Sequence, residues 1–221
     1  MSTINIAIDG PAGAGKSTIA KSVAKELGYV YVDTGAMYRA LGLYFLRNHI
    51  PAEDTAKIVK SLPEIDVTIC YENGEQIVML CGENVNGLIR TEEVGNMASR
   101  ISPIPEVREK LRKLQRGLAR KENVIMDGRD IGTTILPDAR LKIFLTASPV
   151  VRAKRRYQEL LERGVECDLN EIERDIIQRD EQDMSRAVSP LRRAEDAVLL
   201  DCSDMTVEET KNKIIALLAE A

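Results

Sequence analysis

Short apolar runs recur along the chain at Ile4 to Ile8, Tyr29 to Val32, Val124 to Met126, Leu141 to Leu145 and Ala197 to Leu200. Each is closed by Gly, Asp or Thr and followed by a helical pattern. Near-continuous Val, Ile and Leu suit strands buried on both faces, and their alternation with helices predicts right-handed crossovers and a parallel sheet. Ligands gather beyond the carboxyl ends of such strands. Ser148 with Pro149 marks one helix start, as cap and first residue, and Thr206 with Glu209 marks another, as a capping box. A charged amphipathic helix is expected over Glu106 to Lys121, where Val107, Leu111, Leu114 and Leu118 keep helical spacing.

One stretch breaks the alternation. Asp66 to Tyr71 and Gln76 to Leu80 flank Glu72-Asn73-Gly74-Glu75, a hairpin signal with Asn-Gly at its centre. A small antiparallel insert is expected there, leaning on the main core and bordering the substrate cleft. The fold class is therefore α/β, a parallel five-stranded sheet flanked by helices and carrying an antiparallel β insert. A chain of 221 residues with a hydrophobic fraction of 44% fits a single domain with its own core.

Composition narrows the partners. Lys and Arg total 31 against 35 Asp and Glu, and the formal charge of -4 argues against an extended nucleic-acid surface. With no Trp and two Phe, few rings are present on which to stack successive bases. Cys70, Cys81, Cys167 and Cys202 form no CxxC pair, and the single His49 leaves no Cys/His set of metal-binding spacing. Reduced thiols are expected. No apolar run approaches the roughly 20 residues that span a bilayer, and no basic region followed by a long apolar stretch opens the sequence. The expectation is a cytoplasmic monomer with no membrane and no nucleic-acid partner.

The strongest chemical signal is Gly10-Pro11-Ala12-Gly13-Ala14-Gly15-Lys16-Ser17-Thr18, a full GxxxxGK[ST] pattern between an apolar strand and a helix. Its glycines let backbone N–H groups turn inward around phosphate oxygens, the helix N-terminus adds positive potential, and Lys16 can reach the outer phosphates of ATP. Ser17 supplies a hydroxyl for Mg2+. GTPases, motor ATPases and small-molecule kinases share this loop, so other residues must say where the phosphoryl group goes. A guanine-reading NKxD segment is absent, since Asn212-Lys213 continues with Ile214-Ile215.

A kinase for a small anionic acceptor needs cations around a cleft that excludes water. At the end of the second strand, in Asp33-Thr34-Gly35-Ala36-Met37-Tyr38-Arg39, Thr34 can cap a helix and Arg39 lies about one turn inside it. At the third, in Asp127-Gly128-Arg129-Asp130, Asp127 suits Mg2+ or its waters, Arg129 is a fork for a phosphate, and Asp130 is an acceptor for the amino edge of a base. After the fourth strand, Arg152, Lys154, Arg155, Arg156 and Arg163 lie on the first helix of a hairpin lid and can swing onto the transferring phosphate, Arg155 being taken as catalytic. A solvated helix face balanced by Glu159 and Glu162 is the plain alternative. On the second lid helix Arg179, Asp183 and Arg186 share a face, a spacing that an intrahelical salt-bridge row explains equally well.

Taken together, IAIDGPAGAGKST, DTGAMYRA, DGRDIGT, LPDARLKIFLTAS and QRDEQDMSRAVSPL resemble the bacterial cytidylate kinases over nearly the whole chain. The hairpin resembles that family's enlarged nucleotide-monophosphate subdomain. The resemblance implies a core (about 1–33, 122–150 and 195–221), a monophosphate-binding region (about 34–121) and a helical lid (about 151–190) closing over ATP-Mg2+ and CMP or dCMP. It implies that Ser99, Arg108 and Asp130 contact cytosine, that Arg179 and Asp183 hold the sugar, and that Arg39, Arg129 and Arg186 surround the acceptor phosphate, with Lys16, Arg129, Arg155 and Arg186 as the catalytic set. Thr34 stands where the family commonly has Ser. A P-loop kinase for shikimate or dephospho-coenzyme A, and a P-loop regulator that transfers nothing, are the rivals.

Overall fold

Ile6 and Ile8 turn to one face of the first strand and Ala7 to the other, and all three are buried. The same alternation sends Tyr31 and Ile125 to one layer and Val32, Val124 and Met126 to the opposite one, so the sheet is covered on both sides. The computed structural model describes residues 3–162 and 164–221.

Five strands, β1 (Asn5–Asp9), β2 (Val30–Asp33), β6 (Val124–Gly128), β7 (Leu141–Thr146) and β8 (Val198–Asp201), form one sheet in the order β2-β6-β1-β7-β8. All its pairings are parallel. Asp9 stands beside Gly128 and Asp33 beside Asp127, so three strands present their carboxyl ends along one edge. On one face lie α1 (Lys16–Leu27), through Ile19, Ala20 and Val23, and α8 (Val207–Glu220), through Ile214. On the other lie α2 (Thr34–Arg47), through Met37, Ala40 and Leu41, and α5 (Pro105–Ala119), through Val107 and Leu111. The expected capping box of Thr206 and Glu209 is formed at the start of α8.

The insert follows α3 (Thr55–Ser61) and a short 3-10 turn. Strands β3 (Val67–Glu72) and β4 (Glu75–Leu80) pair antiparallel through a turn in which Asn73 and Gly74 have φ of 52° and 80°. Both lie in the left-handed region that Asn and Gly tolerate best, which is why Asn-Gly closes this hairpin. A third strand, β5 (Glu83–Asn84), pairs with β4 and was not expected. The insert leans on the core: the Gln76 side chain accepts from Asp33 N (2.8 Å) and donates to Asp33 O (3.3 Å), and Tyr71 Oη donates to Tyr31 O (3.0 Å).

Helix α4 (Glu92–Ile101) packs over α2, and α6 (Pro149–Glu162) and α7 (Leu169–Ser185) form the helical hairpin after β7. Among the described residues, no helix is long and apolar enough to cross a membrane.

Candidate active site

The loop after β1 passes so close to β7 that a Cβ at Gly10 would sit 1.9 Å from the Leu145 carbonyl oxygen, and Gly10 has a φ of 150°. Only glycine fits both demands. The loop then enters α1, whose N-terminus has no side-chain cap, leaving amide donors and the positive end of the helix to face an anion. Lys16, the first residue of α1, folds back so that Nζ donates to the Pro11 carbonyl at 2.7 Å. Burial, then the nearby Arg129 charge, push its pKa down to about 7, against the pull of Asp127 and Asp9. A buried ammonium held this way gains strongly from phosphate oxygens beside it.

Asp127, at the end of β6, is buried, and its two oxygens accept from Ser17 Oγ (2.8 Å) and Tyr31 Oη (2.8 Å). Burial, then Asp33, raise its pKa to about 6, although Lys16 and both hydroxyl donors work the other way. A serine hydroxyl and a carboxylate side by side under the phosphate loop fit Mg2+, which takes few protein ligands and completes its shell with phosphate oxygens and water. Thr34 is not the cap that its position suggested. Asp33 caps α2 by accepting from Ala36 N at 2.9 Å, and Thr34 Oγ1 donates instead to the Asp127 carbonyl at 2.7 Å. Thr34 thereby fastens α2 to the end of β6.

Beyond β6, Arg129 Nε donates to Asp183 Oδ2 at 2.7 Å, and Arg186 pairs with Asp183 Oδ1. Asp183 is buried, which would raise its pKa, but Arg129 and Arg186 outweigh that and hold it below the ordinary value. Arg39, Arg179 and Arg186 all have pKa values pushed down, first by burial and in each case also by neighbouring guanidinium charge. Arg39, Arg129, Arg179 and Arg186 thus form a cationic cluster that Asp183 only partly balances. The row on α7 is therefore more than an intrahelical ladder, since one oxygen of its carboxylate is committed to the sheet.

Arg108 and Asp130 form a buried ion pair, and Arg108 Nη1 also donates to the Ser102 carbonyl at 3.1 Å. The Arg108 guanidinium stands 5.8 Å from the Tyr38 ring centroid. Nearby, Ser99 and Arg186 line a cavity of about 490 Å3 together with Arg100, Gln182 and Ser185. Of the candidate residues for an acceptor, Ser99 and Arg186 line this space between α4 and α7, and the others do not.

The model of one family, cytidylate kinase, matches residues 6–220. The chain belongs to the cytidylate kinase family. It is 54% identical over 217 residues to a cytidylate kinase of Caldicellulosiruptor saccharolyticus, covering 98% of this chain and 96% of that one. It is 46% identical over 215 residues to one of Carboxydothermus hydrogenoformans, covering 97% of each. Among solved structures, an uncharacterized protein from Eubacterium ventriosum matches with a TM-score of 0.56 at 13% identity, over 99% of this chain and 100% of that one, a likeness of fold.

In this cytidylate kinase family member the arginines of α6 differ in setting. Arg152 is buried and fully tied, with Nε on the Ala147 carbonyl (2.9 Å), Nη1 on the Ala12 carbonyl (2.9 Å) and Nη2 on Asp180 (2.6 Å). It bridges the phosphate loop, the end of β7 and α7. Arg155 bonds the Cys202 carbonyl at 2.8 Å and reaches Ala14 O at 3.5 Å, so it joins the loop after β8 to the phosphate loop. Arg156 is exposed and paired with Glu159 at 2.9 Å, as a solvated face would have it. Arg163 lies outside the described residues.

Sequence reasoning passed over Asp9. Its buried carboxylate accepts from Ile131 N and Gly132 N, both at 2.7 Å, and so ties the loop carrying Arg129 and Asp130 to the strand that leads into the phosphate loop. Burial is the main cause that lifts its pKa to about 6. The signal was available, because Asp9 closes an apolar run as Asp127 does.

Proposed function

We propose that the chain transfers the γ-phosphoryl group of ATP to CMP or dCMP, giving ADP and CDP or dCDP. The observation that carries this reading is the adjacency of two anion-seeking groups, the phosphate loop with Lys16 after β1 and the arginine cluster around Asp183 after the neighbouring strand β6. The donor phosphates lie in the loop Gly10 to Thr18, with Lys16 on the outer ones. Ser17 and Asp127 hold Mg2+, which when bound neutralises charge on the phosphate oxygens.

Arg39, Arg129 and Arg186 hold the acceptor phosphate, and Arg179 with Asp183 the sugar. Ser99, Arg108 and Asp130 read cytosine, the carboxylate suiting the amino group that distinguishes it from uracil. No general base is assigned. A phosphate acceptor is already ionised at neutral pH, so positioning and electrostatics suffice. The stretches 34–121 and 151–190 act as the acceptor region and the lid.

ADP release measured with ATP-Mg2+ alone and again with CMP tests the reading. ADP is expected to form rapidly only when CMP is present. Equal rates with and without CMP would overturn it.

A further inference from the structure

Arg152 stands at the base of the lid and touches both of the regions just assigned. Its guanidinium bonds the Ala12 carbonyl inside the phosphate loop (2.9 Å), the Ala147 carbonyl at the end of β7 (2.9 Å) and the Asp180 carboxylate on α7 (2.6 Å). Its stem lies along the loop, since a Cβ at Gly13 would meet Arg152 Cβ at 3.4 Å. Asp180 sits between Arg179 and Asp183 on α7, the helix that brings those two residues and Arg186 to the acceptor cluster. One rigid planar fork therefore spans from the donor loop to the acceptor helix.

The pair is also poorly supported elsewhere. Among the described residues, the buried atoms Asp180 Oδ1 and Arg179 Nε have no hydrogen-bond partner. A buried carboxylate that loses its ion-pair partner is costly, so drift of α7 away from Arg152 is opposed. A guanidinium bonded to three groups at close range has little slack, and a shift of the Ala12 carbonyl is passed on to Asp180.

We propose that Arg152 and Asp180 are positioning residues that couple the two substrate sites. When donor phosphates order the loop, the strut sets α7, and with it Arg179, Asp183 and Arg186, for the acceptor. Neither residue is assigned to the reacting atoms. The inference rests on the reading of the phosphate loop as donor site and the arginine cluster as acceptor site.

Calorimetric titration of CMP into the full chain, with and without a saturating non-hydrolysable ATP analogue and Mg2+, reads this coupling directly. The wild-type chain is expected to show at least about a fivefold change in CMP affinity between the two conditions, the lower end of ordinary coupling. Asp180→Asn keeps the shape and one acceptor oxygen but loses the charge. Arg152→Lys keeps charge opposite Asp180 but cannot also reach both carbonyls. In each variant the change should shrink to less than about twofold, while each ligand alone, titrated well below the melt, binds within about threefold of wild type. The melting temperature itself should drop, because a buried ion pair is weakened. Loss of affinity for both ligands alone in the folded variant would reduce the pair to a structural prop and overturn the inference. So would a folded variant with wild-type coupling, or a wild-type chain with none. Wild-type turnover with CMP keeps these outcomes apart from failure of the functional reading, which would appear as no transfer to CMP at all.

Discussion

Arg129 at the carboxyl end of β6 donates through Nε to Asp183 on α7, 2.7 Å away, so the central sheet and α7 meet in one ion pair. The other oxygen of Asp183 holds Arg186. A single carboxylate thus holds two guanidinium groups side by side.

Arg129→Lys keeps the charge and one bond to Asp183 but loses the fork. The expected result is a loss of about 10- to 100-fold in kcat/KM for CMP, that is about 1.4 to 2.8 kcal/mol, with affinity for an ATP analogue nearly unchanged. Steady-state kinetics beside analogue titration checks it. Unchanged kinetics would return Arg129 to a purely structural role.

Asp130→Asn removes the buried counter-charge of Arg108 while keeping shape. The new amide can donate to the uracil carbonyl, so kcat/KM for CMP is expected to fall about tenfold or more and the CMP to UMP ratio to narrow. The melting temperature should drop as well, because Arg108 is left buried with less compensation. If a folded variant keeps the wild-type ratio, Asp130 serves only to anchor Arg108.

Tyr31→Phe deletes one of the two hydroxyl donors to Asp127. Those donors favour the ionised carboxylate, which burial already holds at a pKa of about 6, so removing one raises the pKa further. As pH falls, Asp127 should therefore protonate earlier in the variant, and the acid limb of the rate profile should move to higher pH. The titration of the nucleotides themselves is the same for both proteins, so the difference between the two profiles isolates Asp127. Superimposable acid limbs would remove Asp127 from the active form.

Lys16→Ala is expected to abolish transfer and yet to keep or raise the melting temperature at neutral pH. Folding lowers the Lys16 pKa from 10.5 to about 7, so at pH 7 the folded chain disfavours a proton that the unfolded chain binds fully, and the substitution removes that cost. Thermal melts and a transfer assay on the same preparation check both halves.

The strands were legible because near-continuous Val, Ile and Leu runs can be buried on both faces, and the hairpin because Asn73-Gly74 has a turn chemistry of its own. Strand β5 was not, since Glu83 and Asn84 carry no strand pattern and pair only because β4 offers an edge. Thr34 has a capping side chain, but Asp33 precedes it and took the cap, leaving the hydroxyl to the Asp127 carbonyl. The phosphate loop and the Asp127-to-Asp130 motif could be read locally. The strut made by Arg152 could not, because its partners Ala12 and Asp180 are remote in the chain and one of them is a backbone carbonyl.

Acceptor choice is the central claim, and kcat/KM for transfer from ATP-Mg2+ to CMP, dCMP, UMP and shikimate under one set of conditions measures it most directly. CMP or dCMP should lead, UMP should trail by about tenfold or more, and shikimate should give no product. Efficient transfer to shikimate, equal use of UMP and CMP, or rapid ATP hydrolysis with no acceptor would contradict the account.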